Sequence, residues 1–462
     1  MSTRQPKFRV IIAGGGPVGL ALGNALAKAD IDFLILERYP AIVAESGACI
    51  TLWPHGSRVL DNLELFESAE GNYGTPYKIV RITLNGTVRR EVPVFQWLRE
   101  QRRHGYPCMV FPRPRLTRLL YDGLGPENHS KVRAGVAVED IETEADGVRV
   151  WLSDGSVETG SIVVGADGVH STTRRIMQKL ADKEAAATTS DNHSPSSASF
   201  AEEPPLTTFE CLYGSASPDL IPRLGIEKGA FYEAHGQDTC TQFMSWDGGI
   251  HFGLFRRVQG QPTPIRHSFS AEETEAYKAA FADVHLAPGV KAREILYADP
   301  GLLGWTRLVQ QPEGMARRRY HGRIVLLGDA ALQVTSVAGL GLNAALQSAV
   351  LLANGLHSVL PGAGAVASPD PNPDLQKLTR VFAEYEEACR KESVAVANLS
   401  GKMMRANTWE SWSLWLMSEH LMPRLFGDRK LIEAVGREMV SKARTLDCGK
   451  KTERSGSIPW TN

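Results

Sequence analysis

The chain has 462 residues, 43% of them hydrophobic and 22% charged, with a formal net charge of −1. That balance suits a globular protein long enough for two lobes, and it gives no strong field for nucleic acid or an anionic membrane. Six cysteines without a C-x-x-C pair or a His/Cys cluster argue against a disulfide framework or structural zinc, so no metal site is expected.

The first strand is expected at residues 8–13 (FRVIIA), a short apolar run typical of a buried parallel strand. So little chain precedes it that no signal peptide is expected, which points to a reducing, cytoplasmic setting. A glycine loop follows, then a helix over residues 20–28 and a second apolar strand over 33–36 that ends at Glu37. This strand–loop–helix–strand unit carries Gly14-x-Gly16-x-x-Gly19 where a dinucleotide motif needs it. Gly14 permits the tight turn, Gly16 lets a pyrophosphate approach the backbone, and Gly19 allows close helix packing. Glu37 is placed to accept hydrogen bonds from a ribose, with the basic Arg38 beside it. The unit alone does not separate NAD from FAD.

Further along, the apolar run 162–164 enters a turn with Asp167-Gly168. Residues 182–205 are rich in Ala, Ser, Thr, acidic residues and Pro, and read as a mobile surface insertion. Residues 206–258 alternate apolar and polar, the pattern of antiparallel strands in a second lobe, and residues 271–281 read as a helix. The strand RIVLL at 323–327 leads to Gly328-Asp329, then to Gly339-Leu340-Gly341-Leu342-Asn343 and a helix over 344–356. A carboxylate at a strand end suits a ribityl or ribose hydroxyl, and a helix N-terminus suits a pyrophosphate or a flavin edge. A Pro/Gly/Ala loop at 361–373 precedes an amphipathic helical tail. No apolar run reaches the roughly 18 residues of a bilayer span. Residues 409–426, rich in Trp, Leu and Met, are either a buried helix or a segment able to touch a membrane surface.

Taken together, the three segments resemble the aromatic-hydroxylase-type, FAD-dependent monooxygenases. That family carries GxGxxG near the N-terminus, DG in mid-chain, GD about two-thirds along, and an Arg-x-x-Leu-x-x-x-Leu signature, here Arg113, Leu116 and Leu120. Residues 47–56 and 209–214 are similar to the fungal secondary-metabolite branch, whose members act on indole alkaloids, indole diterpenes and prenylated polyketides. The resemblance implies an α/β fold: a glutathione-reductase-type, Rossmann-like FAD domain, an inserted antiparallel substrate lobe and a helical C-terminal region. The boundaries expected are FAD-binding parts at 1–85, 105–181 and 311–360, substrate-lobe segments at 86–104 and 206–310, and C-terminal helices over 374–455.

For the cofactor, the resemblance implies that Glu37 binds the adenosine ribose and that Arg113 lies near the pyrophosphate or ribityl chain. Ala48 and Thr51 would lie near the flavin, Asp167 would support that region, and Asp329 would bind the ribityl or pyrophosphate part. Backbone N–H groups of Gly341, Leu342 and Asn343 would face the isoalloxazine. NADPH would bind transiently and reduce FAD, and oxygen from O2 would be delivered electrophilically as a flavin C4a-hydroperoxide. Glu210 is either a pocket acid or a solvent-facing strand residue. Tyr213, His55 and Tyr232 are weaker candidates, and Trp246 and Phe252 could line an apolar pocket. Three departures stand out: Leu332 for the family's His, Ser336 for its Pro, and His55 for its Asn.

The expected substrate is a small molecule, a prenylated indole alkaloid epoxidised at the indole C2–C3 bond with rearrangement to an oxindole. Prenyl-olefin epoxidation and phenol hydroxylation remain open, as does a non-catalytic binding protein on the same fold. No nucleic acid partner is expected, and the chain should be a monomer or weak dimer.

Overall fold

The computed structural model describes residues 8–45, 47–96, 105–188, 203–360, 373–421 and 440–449, with 451, 454, 456, 457 and 459–461. Arg9–Ala13 is apolar on both faces, and its side chains Val10, Ile11 and Ile12 are fully buried. It therefore sits inside a six-stranded sheet, paired in parallel with Asp32–Glu37 on one side and Ile162–Gly165 on the other. Ile324–Leu326 extends the parallel set beyond Ile162–Gly165, and Val132–Ala134 lies outside Asp32–Glu37. Tyr320–His321 closes one edge in antiparallel pairing. The helices Pro17–Lys28 and Gly341–Val359 pack together over one face of this sheet. A three-stranded sheet, Val138–Thr143, Val148–Leu152 and Val157–Gly160, covers the other.

The second lobe is an eight-stranded sheet in the order Leu332–Gln333, Leu303–Met315, Leu206–Ala216, Gly249–Arg257, Thr239–Trp246, Ala230–Gly236, Lys78–Thr83 and Val88–Val92. Its outer face is covered by the helix Ala271–Phe281, started by a Ser270/Glu273 capping box. The α/β class and the two-lobe plan are thus present, but the boundaries shift. Lys78–Thr83 joins this sheet although it lies before residue 86, and Leu303–Met315 and Leu332–Gln333 carry the sheet past residue 310. Strand pairing, not chain order, decides to which lobe a segment belongs.

The C-terminal region begins with Leu375–Asn407, a helix of 33 residues capped by Asp374. At 1.5 Å per residue it is about 50 Å long. Leu378, Val381, Phe382, Tyr385 and Cys389 form one buried stripe against the core of the six-stranded sheet, and Tyr385 donates to the Leu326 carbonyl at 2.9 Å. Further along, Val396 and Met404 pack on Leu332, Leu340 and Phe209, so one rod touches both lobes. The expected mobile insertion is partly helix, because Thr172–Thr188 runs past residue 182; residues 189–202 lie outside the described residues. The described tail continues through Trp412–Leu416 and Met417–Leu421; residues 441–449 form turns and loop where helix was expected, and residues 422–439 lie outside the described residues. Trp412, Trp415, Met417 and Leu421 are exposed, which departs from a buried reading of 409–426; residues 422–426 lie outside the described residues. No helix among the described residues is long and apolar enough to cross a membrane.

If the C-terminal rod is part of the six-stranded sheet's core, Phe382→Ala should destabilise the protein by about 3–5 kcal/mol in denaturant titration. Tyr385→Phe should cost only ~1 kcal/mol.

Candidate cofactor site and active site

The parallel pairing carries three chain segments to the same end of the six-stranded sheet. Gly14 has φ +113°, and a Cβ there would lie 2.4 Å from the Ala166 carbonyl oxygen. A Cβ at Gly19 would lie 2.0 Å from the Gly14 carbonyl oxygen. Only glycine fits these two contacts. Pro17 opens the helix, and its first N–H groups have no intrahelical acceptor. The Gly15 N–H donates to Glu37 Oε2 at 2.7 Å and the Tyr39 N–H to Oε1 at 3.0 Å. Glu37 is half-buried and each oxygen keeps a further lone pair for a ribose hydroxyl. Arg38 is exposed and stacks on Tyr39.

Asp167 is engaged more heavily than expected. Its carboxylate accepts from Ser171 Oγ at 2.5 Å, Thr173 N at 2.9 Å and Thr173 Oγ1 at 3.0 Å, so it caps the helix Thr172–Thr188. Arg174 then donates to the carbonyls of Val169 and Ala330, and Gln333 donates to those of Val169 and Asp329. These contacts lace the Asp167 turn to the Asp329 turn. Asp329 is exposed at a turn close against the protein: desolvation raises its pKa above the ordinary carboxylate value, and the Arg113 guanidinium offsets part of that rise.

Arg113 opens the helix Arg113–Asp122, with its N–H bonded to the Ala48 carbonyl. Its exposed guanidinium reaches to 3.9 Å from a Cβ built on Gly16, with no carboxylate in salt-bridge range among the described residues. Thr51 packs against Gly339, which has φ +62°. The fully buried Asn343 side chain donates to the Thr51 and Gly339 carbonyls and accepts from the Trp53 N–H. It ties the strand Cys49–Leu52 to the glycine turn. Gly341, Leu342 and Asn343 form the first turn of Gly341–Val359, so their N–H groups have no intrahelical partner. A loop that only glycine can form, a guanidinium with no carboxylate in range among the described residues, an exposed carboxylate and two open helix N-termini fit a bound flavin dinucleotide.

Beyond the Gly339 turn lies the inner face of the eight-stranded sheet. Side chains alternate between its faces. Phe209, Cys211 and Phe255 pack with Val337 and Met404, so odd-numbered residues of Leu206–Ala216 face the cofactor side. Glu210 therefore points outward. It pairs with Arg256 at 3.4 Å, beside Tyr277, on the face covered by Ala271–Phe281. A pocket-facing acid at this position is corrected by the pleat: one residue of offset moves a side chain to the opposite face. Tyr232 and Phe252 likewise belong to the outer core, whereas Tyr213 faces inward. His55 is buried at 3% exposure within the helix Pro54–Asn62, its carbonyl held by Gln347. Enclosed in this way, it departs from the role of a pocket residue.

The inner face also holds residues that sequence reasoning missed. Buried Glu233 accepts from Gln242 Nε2 at 3.1 Å, and the same amide reaches the Val337 carbonyl at 2.9 Å. The strand pairing Glu233↔Gln242↔Gly253 is the signal, and it is legible only once register is known. His251 lies on this face too, with neither ring nitrogen hydrogen-bonded. Burial first, then the Arg115 guanidinium, pushes its pKa down to about 4. Trp246 stands two residues along the neighbouring strand with Arg115 over its ring.

The chain matches the FAD binding domain family over residues 7–370. It is 33% identical to the FAD-dependent monooxygenase srdH of Neurospora crassa, over 98% of both chains. It is 30% identical to the FAD-dependent monooxygenase penE of Penicillium thymicola, over 83% of this chain and 78% of that one. The chain belongs to the FAD-dependent monooxygenases. Its fold is that of Klebsiella pneumoniae HpxO solved with FAD and uric acid, with a TM-score of 0.71 at 21% identity, covering 96% of this chain and 97% of that one. The p-nitrophenol 4-monooxygenase PnpA of Pseudomonas putida gives 0.70 at 18% identity, over 96% and 99%. The chain binds FAD and is an enzyme of this type.

Arg113→Ala should raise the FAD dissociation constant about 10- to 100-fold, read from flavin fluorescence on release. His251 gives a pH signature. It stays neutral in the fold down to about pH 4, whereas an unfolded histidine takes up a proton near pH 6.5. Acidification through that window therefore favours the unfolded chain, by about 3 kcal/mol at its lower end. His251→Gln should remove that part of the acid sensitivity in stability measurements from pH 7 to pH 4.

Proposed function

We propose that this monooxygenase uses NADPH and O2 to oxygenate an electron-rich double bond of a flat aromatic small molecule in fungal secondary metabolism. The indole C2–C3 bond of a prenylated alkaloid is the target that the family resemblance favours. The carrying observation is the inner sheet face set against the Gly339 turn. That face carries Tyr213, Phe231 and Trp246, and Phe95 and Trp53 cluster with Phe231 at its edge. Aromatic side chains of this kind suit a planar, electron-rich ligand.

The residues divide the work. Glu37, Arg113 and Asp329 would hold the ribose, pyrophosphate and ribityl parts of FAD, and the N–H groups of Gly341, Leu342 and Asn343 its pyrimidine edge. Bound FAD supplies the redox and oxygen-transfer chemistry. The sheet and the long C-terminal helix exclude water from the reacting centre and hold the substrate at a fixed distance from it. Glu210 has no part in proton transfer, since it lies on the outer face.

NADPH is supported by a second feature. His170 is exposed, and its pKa is lowered by partial burial and then by the guanidinium groups of Arg266, Arg38 and Arg174. Arg38 and Arg266 are exposed. This basic cluster, beside the Asp167 turn, suits the phosphates of a transiently bound dinucleotide.

The test is to measure NADPH oxidation, hydrogen peroxide release and incorporation of isotope-labelled O2 against a panel of indole alkaloids and phenols. Tight coupling with one labelled oxygen atom in an indole product is expected; coupling only with phenols would move the substrate class. Arg266→Ala should raise the KM for NADPH roughly ten-fold with kcat retained.

A further inference from the structure

The place where the family has proline is occupied by Ser336, and its surroundings give that serine a partner on the substrate sheet. The Ser336 N–H lies 3.2 Å from one oxygen-type atom of the Gln311 side chain, and the Ser336 hydroxyl lies 3.1 Å from the same atom. A backbone N–H can only donate, so that atom is Gln311 Oε1, an acceptor. Gln311 is 7% exposed and fixed on the inner face beside Phe209. The Tyr213 hydroxyl contacts the Ser336 hydroxyl and lies 3.4 Å from Gln311 Oε1.

The proton count of this cluster is closed. Two hydroxyls hold two protons, and both contacts to Gln311 end on an atom that accepts. If Ser336 donates to Gln311, Tyr213 must donate to Ser336. The reverse, Ser336 donating to Tyr213, would set the Ser336 oxygen against Gln311 Oε1 at 3.1 Å with no proton between them. In the favoured order both hydroxyl protons stay inside the cluster. What the two hydroxyls leave for a ligand is lone pairs on Tyr213 Oη and Ser336 Oγ, beside the donor NH2 group of Gln311. A hydroxyl that donates into a chain of hydrogen bonds becomes a better acceptor. Ser336 is exposed and Tyr213 half-buried, so those lone pairs can be reached. Burial also pushes the phenol well above its ordinary pKa, which keeps its proton in place. Tyr213 stands edge-on to Phe255, which restrains the ring.

We infer that the Tyr213 and Ser336 hydroxyls, held by Gln311 Oε1, form an acceptor pair that recognises an N–H or O–H donor on the substrate, beside the turn that holds the flavin. This rests on the monooxygenase reading and narrows its substrate class to molecules carrying an indole N–H or phenol O–H next to the reacting double bond. An acceptor on that N–H or O–H pushes electron density into the ring, the direction that assists attack on an electrophilic oxygen. Ethers, N-alkylated indoles and simple prenyl olefins lack the donor.

The test is calorimetric titration of the full-length oxidised protein with phenol and anisole, and with indole and N-methylindole. The donor-bearing member of each pair should bind more tightly. Tyr213→Phe should reduce the affinity ratio roughly ten-fold, the loss of one hydrogen bond. Ser336→Ala, which removes one of the two acceptor oxygens, should shrink the same ratio without the loss of the phenol. A ratio near one in the natural protein, or a ratio untouched by both substitutions, overturns the subsite. Flavin absorbance of the same samples tests the underlying reading separately: a chain purified without FAD and unable to take it up would sink the monooxygenase assignment, while the affinity ratios could still be read.

Discussion

The structure depends on one strand pairing on both sides. Arg9–Ala13 is flanked in parallel by Asp32–Glu37 and Ile162–Gly165, and Ile324–Leu326 adds to the latter. Parallel strands end on the same edge, so the turns that follow all face one crevice. Glu37, Asp167 and Asp329 are far apart in the chain, yet each lies at or just beyond the C-terminal end of one of these strands. The cost of the arrangement is crowding of backbone against backbone, which Gly14 and Gly19 relieve by having no side chain. Residues that look modest singly become a site because the sheet registers them against one another.

The second lobe obeys a different constraint. Its eight strands form a pleated floor on which only alternate residues reach the cofactor side. The division is clean: Phe209, Cys211 and Tyr213 face the Val337 turn, whereas Leu212, Phe252 and Tyr277 build the outer core. Side-chain hydrogen bonds cross the gap between lobes, among them Gln242 to the Val337 carbonyl, Gln311 to Ser336 and Tyr213 to Ser336. The long helix Leu375–Asn407 packs against both lobes and backs this seam. The lobes are held together where the chemistry would occur.

Much of the cofactor half was legible in the sequence because its signals are local. A strand, a glycine turn and a helix follow one another within some thirty residues, and each leaves a pattern in composition and spacing. The substrate half was harder. Alternation announces strands but not which face is which, and Glu210 against Tyr213 is a choice that needs the packing of Val337 to decide. Lys78–Thr83 was hidden for a related reason: it pairs in parallel with Ala230–Gly236, some 150 residues away in sequence, a contact with no local trace. Asp167 was visible as a turn residue, but its three bonds to Ser171 and Thr173 show it serving the following helix as much as any ligand. Ser336 stood out as a departure from the family pattern, and only the position of Gln311 explains what the change does.

The central claim is that the three strand-end segments and the inner sheet face enclose one flavin. A crystal structure of the protein with FAD bound tests it most directly. The account requires the dinucleotide to run from Glu37 past Arg113 and Asp329, with its ring between the Gly339 turn and Tyr213. A flavin ring seated away from that turn, or on the outer face beside Glu210, would contradict it.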